Sequence, residues 1–112
     1  MNTPLVSVIT SNYNCAGYLP DCVASVLGQT FDSWEHIIID CGSTDNSRQV
    51  LESLKHPRLR IINGSFCGVA RARNTAIQQA QGEFCAILDA DDLALPDRLL
   101  RQTELLKKKI LI

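Results

Sequence analysis

The chain has 112 residues, of which 46% are hydrophobic and 21% are charged, and its formal net charge is −1. This size and composition predict a single domain, residues 1–112, with a real hydrophobic core. The near-neutral charge gives no support for nucleic acid as a partner or for attraction to an anionic membrane surface.

Apolar periodicity predicts strands that alternate with helices along the whole chain. Runs rich in apolar and β-branched residues indicate the strands, at residues 5–10, 36–40, 58–62 and 84–88. Helical spacing of apolar residues indicates the helices, at residues 17–28, before Pro57, from about 68 to 80, and from Pro96 onward. Ser43, Thr44 or Asp45 could cap the second helix. Short connections between these elements predict an α/β fold with a doubly wound, mostly parallel sheet and helices on both faces.

The cysteines argue against a disulfide framework and against a zinc site, because their number is odd, their spacing is wide and no C-x-x-C occurs. They are Cys15, Cys22, Cys41, Cys67 and Cys85. Cys22 and Cys85 lie in apolar patterns and are predicted to be small core residues. Free thiols fit a reducing compartment, so a cytoplasmic protein is expected. The amino-terminal segment lacks the basic region of a signal peptide, and no apolar stretch approaches the ~20 residues of a membrane span.

Polar clusters follow three of the predicted strands. They are SNYN (11–14), DCGSTD (40–45) and DADD (89–92). In doubly wound sheets the ligand binds off the carboxyl ends of the strands, so these clusters should converge on one edge. This convergence favours a ligand site over a purely structural role.

The last cluster places the three carboxylates of Asp89, Asp91 and Asp92 at the end of an apolar strand. Like charges this close repel, and a bound cation would offset the repulsion. Oxygen-only ligands suit a hard cation such as Mg²⁺ or Mn²⁺. The alternative is that Asp91 or Asp92 caps the following helix and that the other acids are solvated. Spacing alone leaves both interpretations open.

Other familiar chemical motifs are absent from the sequence. No G-x-G-x-x-G follows the first strand, and neither a P-loop nor a G-x-S-x-G elbow occurs. His36 and His56 are isolated and are predicted to have structural roles. Asp40 could accept hydrogen bonds from a base or a ribose, whereas Arg71 and Arg73 could pair with phosphate or with the acids.

Five segments together resemble the N-terminal, nucleotide-sugar-binding part of a family 2 (GT-A type) glycosyltransferase. They are VSVITSNYN (6–14), SVLGQTF (25–31), EHIIIDCGSTDNS (35–47), GVARARNTAIQQAQGEF (68–84) and ILDADDLALPDRL (87–99). The resemblance covers about the whole chain. It implies a GT-A, Rossmann-like fold and an enzyme that transfers a sugar from a nucleotide-diphosphate sugar to a glycan or lipid-linked acceptor, with inversion.

The resemblance also implies roles for individual residues. Asp91 and Asp92 would hold a divalent cation, Mn²⁺ or Mg²⁺, with the diphosphate, and Asp89 would contact the ribose or the metal. Tyr13 would stack on the base, and Arg73 would lie near the phosphates. The residues expected to bind the nucleotide sugar are Ser11, Tyr13, Asp40, Arg73 and Asp89.

Some features differ from the family's pattern. Ser11 and Asn12 stand where a proline is usual, and Cys41 replaces a second acid that can contact uracil in relatives, which weakens the expectation of a UDP donor. The acceptor-binding part and the general base are expected beyond Ile112, so no catalytic base is assigned.

The expected absence of the acceptor-binding part leaves an alternative function open, a catalytically incomplete nucleotide-sugar binding module. Apolar surface that the acceptor part would cover predicts self-association into a homo-oligomer. Peripheral contact with the cytoplasmic face of a membrane is compatible with the lipid-linked acceptors of many such enzymes. A nucleotidyltransferase is less favoured, because a Gly-rich phosphate loop is missing after the first strand.

Overall fold

The computed structural model describes residues 3–64 and 68–108, with side chains described as far as residue 106. Strands and helices alternate within this part of the chain. The strands are β1 (Val6–Asn12), β2 (Trp34–Cys41), β3 (Leu59–Gly64) and β4 (Phe84–Ile87). The helices are α1 (Leu19–Leu27), α2 (Ser47–Ser53), α3 (Val69–Gln79) and α4 (Arg98–Lys108).

The four described strands form one parallel sheet in the order β3-β2-β1-β4. β1 is central, and each of its residues is buried except the half-buried Ser11. β3 is more exposed, as its sequence predicts. The prediction of a doubly wound parallel sheet is confirmed, and it brings the carboxyl ends of β1, β2 and β4 to the same edge.

Helices cover both faces of the sheet, as predicted. On one face Ala72 and Ala76 of α3 pack against Ile37, and their small side chains let the helix lie close to the sheet. On the other face Leu51 of α2 packs in one cluster with Ile38. The adjacent residues Ile37 and Ile38 of β2 thus pack on opposite faces of the sheet, because side chains alternate along a strand.

A buried polar network joins the amino-terminal ends of the strands to the turn after α3. Ser7 Oγ donates a hydrogen bond to Glu35 Oε2 over 2.6 Å, and Arg60 Nε lies 3.1 Å from Glu35 Oε1. The N–H groups of Gln81 and Gly82 donate to Glu35 Oε2 and Ser7 Oγ. Gly82 has no room for a side chain, because a Cβ there would lie 2.7 Å from Ser7 N.

The last helix begins later than predicted. Pro96 and Asp97 form a turn, and α4 starts at Arg98. The reason is a long-range contact: the carbonyl of Pro96 accepts a hydrogen bond from the N–H of Thr30 over 2.8 Å. The end of α2 also differs from the position of the proline that follows it: the helix ends at Ser53, before Pro57.

The core prediction holds for Cys22 and is wrong for Cys85. Cys22 is fully buried, and burial raises the pKa of its thiol to about 11. Cys85 is exposed and Ile87 is 37% exposed, because β4 lies at one edge of the described sheet. A strand at a sheet edge thus keeps a solvated face although its sequence is apolar. Cys67 lies outside the described residues.

None of the helices described is both long enough and apolar enough to cross a membrane.

Candidate functional site

A cavity of about 530 Å³ opens at the carboxyl edge of the sheet. Its walls come from the ends of β1 and β2, the start of α3 and the turn that follows β4. It is lined by Ser11, Asn12, Tyr13, Cys15, Cys41, Gly68, Val69, Arg73, Asp89, Ala90 and Asp91. A cavity of about 650 Å³ lies between α2 and β3, where none of the three polar clusters contributes to it. The carboxyl-edge cavity is therefore the candidate site.

The structure brings most of the predicted site residues together. Ser11, Tyr13, Arg73, Asp89 and Asp91 all line the cavity. The convergence of the strand-end clusters is confirmed. Two of the predicted residues, Asp40 and Asp92, are not among the lining residues described.

The three acids after β4 form one cluster, here called the acid triad (Asp89, Asp91 and Asp92). One carboxylate oxygen from each lies within 4.8 Å of the others, and all three residues are exposed. The N–H of Asp92 donates to the carbonyl of Asp89 over 3.0 Å, which closes the turn. The helix-capping interpretation is wrong, because α4 begins only at Arg98. Three accessible oxygen ligands fit a hard divalent cation.

Arg73 places a positive charge against the triad. Its Nη2 donates a hydrogen bond to Asp89 Oδ1 over 2.9 Å. Both side chains are partly exposed, at 35% for Arg73 and 52% for Asp89. Of the two partners left open for this arginine, phosphate or the acids, the structure shows an acid.

Asp40 is fully buried beside the cavity and is held by the protein itself. Its Oδ1 accepts hydrogen bonds from Asn12 Nδ2 over 3.0 Å and from Ser43 Oγ over 2.6 Å. Its Oδ2 accepts one from the N–H of Ser43 over 3.2 Å and lies 3.9 Å from Arg48 Nε. Cys41, the next residue, lines the cavity instead. A direct contact between Asp40 and a base or ribose stays a prediction.

Two thiols form part of the cavity wall. Cys15 and Cys41 are half-buried, and burial raises the pKa of both. The charge of Asp91 raises the pKa of Cys15 further, and the charge of Asp40 does the same for Cys41. Both side chains are therefore neutral thiols at neutral pH.

Sequence reasoning did not identify Asn14, which joins two of the loops around the cavity. Its backbone φ of 55° lies in the left-handed region, and its Oδ1 accepts hydrogen bonds from the N–H groups of Thr44 and Asp45. The sequence signal for this role was an asparagine shortly after a strand, because asparagine adopts the left-handed conformation of a turn more readily than most residues do.

The sequence profile described as Glycosyl transferase family 2 matches residues 7–110. The chain belongs to this family. Its fold is of the GT-A, Rossmann-like type, as the solved structures below show, so the resemblance found in the sequence is confirmed.

Curated relatives are similar over nearly the whole chain. The chain is 41% identical over 109 residues to the putative teichuronic acid biosynthesis glycosyltransferase TuaG of Bacillus subtilis, a match that covers 95% of this chain and 43% of TuaG. It is 42% identical over 111 residues to chondroitin synthase of Pasteurella multocida, covering 96% of this chain and 12% of that protein. The chain thus spans less than half the length of these relatives.

Solved structures that contain nucleotide sugars match the fold. Residues 1–349 of S. aureus TarS in complex with UDP-GlcNAc match with a TM-score of 0.84 and 28% identity, over 92% of this chain and 31% of that one. The mannosyltransferase PcManGT of Pyrobaculum calidifontis, in complex with GDP-Man and Mn²⁺, matches with a TM-score of 0.76 and 31% identity. That match covers 87% of this chain and 30% of PcManGT.

Proposed function

We propose that this chain binds the donor in a metal-dependent glycosyltransferase, which transfers a sugar from a nucleotide-diphosphate sugar to an acceptor with inversion at the anomeric carbon. The observation that carries the proposal is the carboxyl-edge cavity, where Tyr13 and Arg73 meet two members of the acid triad, Asp89 and Asp91. Its volume of about 530 Å³ is in the range of small-molecule sites. The UDP-GlcNAc complex of TarS and the GDP-Man complex of PcManGT support this class of donor.

The chain's own residues divide the work of donor binding. Tyr13 is 57% exposed, so its ring is free to stack on the base. Arg73 would pair with a phosphate and give up its contact with Asp89. α3 begins at Val69 beside the cavity, and the N–H groups of its first turn favour a negative group there.

The acid triad is the proposed metal site. Asp91 and Asp92 would hold Mn²⁺ or Mg²⁺, and Asp89 would contact the metal or the ribose. When bound, the cation would act as a Lewis acid that neutralises charge on the departing nucleotide diphosphate. The presence of Mn²⁺ in the PcManGT complex supports a divalent cation.

Calorimetric titration of the chain with UDP and with GDP, each with and without Mn²⁺, tests the proposal. We expect binding that requires Mn²⁺ and that is weakened at least about tenfold in Asp91→Asn, a loss of about 1.4 kcal/mol. Asp97→Asn is the matched control, because Asp97 is a partly exposed acid nearby that pairs with Arg101 on α4. Undiminished binding by a folded Asp91→Asn variant would reject the metal site, and circular dichroism verifies folding.

The second candidate is a nucleotide-sugar binding module that does not complete the transfer. It is favoured by the carboxyl-edge cavity itself, since the residues that line it account for donor binding and none of them is assigned as a catalytic base. Release of UDP from UDP-GlcNAc by the chain, measured with and without added acceptor glycans, separates the two. Metal-dependent binding without release would support the module.

The acceptor and the cellular site belong to the same proposal. The names of two relatives refer to teichuronic acid biosynthesis and to chondroitin synthesis, which supports a role in polysaccharide biosynthesis. We propose a glycan or lipid-linked acceptor and a cytoplasmic enzyme, located at the cytoplasmic face of a membrane when the acceptor is a lipid.

Exposed apolar side chains near β4 and on α4 favour a homo-oligomer, which sedimentation would test; among them are Ile87, Leu105 and Leu106.

A further inference from the structure

Asn14 connects the loop that carries Tyr13 to the loop that follows β2. Its Oδ1 accepts hydrogen bonds from the N–H groups of Thr44 over 2.8 Å and Asp45 over 3.2 Å. Its Nδ2 donates to Thr44 Oγ1 over 3.2 Å, and its own N–H donates to Ser43 Oγ over 3.0 Å. A single side chain and its backbone thus join two loops that lie about 30 residues apart in sequence.

This connection continues into the sheet. Ser43 Oγ, which receives the N–H of Asn14, donates to the buried carboxylate of Asp40 over 2.6 Å. Asn12 Nδ2 donates to the same Asp40 oxygen and lies 3.2 Å from Ser43 Oγ. Asp40 is held at the end of β2 and Asn12 at the end of β1, where the two residues are paired. The loop contacts of Asn14 are therefore anchored to the rigid core of the sheet.

Tyr13 stands between these two anchored residues. Asn12 on one side is fully buried, and Asn14 on the other is bonded to three residues of the opposite loop. The backbone of Tyr13 is thus fixed on both sides, whereas its side chain is exposed at the cavity. A ring that is already in place loses less conformational freedom when a base stacks on it.

We propose that Asn14 is a positioning residue for the donor: it fixes the place where Tyr13 presents its ring and the separation of the cavity walls formed by Tyr13 and Cys41. This inference rests on the proposed function, because it assigns the base of the nucleotide to Tyr13. Asn14 itself is not a lining residue of the cavity. It acts through its neighbours, and removing its side chain should weaken binding of the base more than binding of the phosphates.

Two ligands, one with the nucleoside and one without it, test this directly. UDP and inorganic pyrophosphate are titrated with Mn²⁺ into the wild-type chain and into Asn14→Gly, which keeps the left-handed backbone and removes the side chain. Asn14→Asp keeps the Oδ1 acceptor and serves as the conservative rescue. Asn46→Gly is the matched control, because Asn46 lies in the same loop region and makes no capping hydrogen bond with its side chain.

We expect Asn14→Gly to bind UDP about tenfold more weakly, since the ligand must now order the Tyr13 loop, and to bind pyrophosphate within about twofold of the wild type. Asn14→Asp should recover most of the UDP affinity, and Asn46→Gly should match the wild type. Unchanged UDP affinity in a folded Asn14→Gly variant, or an equal loss for both ligands, overturns the inference alone. If the wild-type chain binds neither ligand with Mn²⁺, the proposed function fails and this inference fails with it.

Discussion

Arg73 Nη2 and Asp89 Oδ1 lie 2.9 Å apart and form an ion pair between α3 and the turn after β4. Because both side chains are partly exposed, such a pair contributes at most about 1 kcal/mol to stability. The pair is more important for ligand binding than for stability, since Arg73 is the proposed partner of a phosphate and Asp89 belongs to the acid triad. Ligand binding is therefore expected to separate this pair.

Replacing Arg73 with Gln should have opposite effects on metal and nucleotide. Without nucleotide, Mn²⁺ affinity should rise by up to about fivefold, because a positive charge next to Asp89 is removed. With Mn²⁺ present, UDP affinity should fall by about tenfold, because a charge-assisted contact to phosphate is lost. Electron paramagnetic resonance of free Mn²⁺ reports the affinity for the metal. Calorimetric titration with UDP in the presence of Mn²⁺ reports the affinity for the nucleotide. Arg101→Gln, which breaks an exposed pair with Asp97, is the control, and weaker Mn²⁺ binding by Arg73→Gln would contradict the competition.

Tyr13 should contribute to nucleotide affinity through its ring alone. We expect Tyr13→Ala to lose about 1 to 3 kcal/mol of UDP binding, the range found for base stacking on aromatic side chains, and Tyr13→Phe to keep most of it. Tyr18→Ala is a matched control, since Tyr18 is similarly exposed, at 59%, and does not line the cavity. Equal losses in Tyr13→Ala and Tyr18→Ala would argue against stacking.

Gly82→Ala should destabilise the fold strongly. A Cβ at this position would lie 2.7 Å from Ser7 N and 2.9 Å from Val6 C, and these backbone atoms belong to the central strand β1. We expect a loss of about 2 to 3 kcal/mol in the free energy of unfolding, measured by urea denaturation. Gly17→Ala has open space around the new Cβ and should stay within about 0.5 kcal/mol of the wild type. Similar unfolding midpoints for the two variants would show that the sheet accommodates the extra carbon.

The stability of the fold should decrease in mildly acidic solution because of His36. Burial lowers the pKa of this residue to about 3, whereas in the unfolded chain it is near 6.5. Between these values the unfolded chain takes up a proton that the folded chain does not bind. The contribution of neutral His36 to the free energy of unfolding is therefore complete above about pH 6.5. It is lost as the pH falls below that value, by up to about 1.4 kcal/mol per pH unit.

Urea denaturation at several pH values from neutral to about pH 4 measures this loss. His36→Gln should show a flatter dependence, since glutamine does not titrate and can still bond to Thr10, whose Oγ1 lies 2.8 Å from His36 Nε2. The same slope in the variant and in the wild type would assign the effect to other groups.

Local sequence pattern was sufficient for the architecture. The apolar runs that became β1 and β2 predicted buried strands, and the short connections predicted parallel pairing, because periodicity and connection length are properties of neighbouring residues. The same reasoning placed Tyr13 and Asp89 at one edge of the sheet, where the structure has them.

Features that depend on distant residues were decided only by the tertiary structure. Cys85 is exposed because β4 is at the edge of the described sheet, and Pro96 does not begin a helix because Thr30 bonds to its carbonyl. Asp40 is engaged by Ser43 and Asn12, and the loop contacts of Asn14 cross about 30 residues of sequence. Local pattern determines which residues form strands and which ends carry polar groups. Burial at an edge and hydrogen bonds between loops require the folded neighbours, because both are set by contacts that no short stretch of the chain contains.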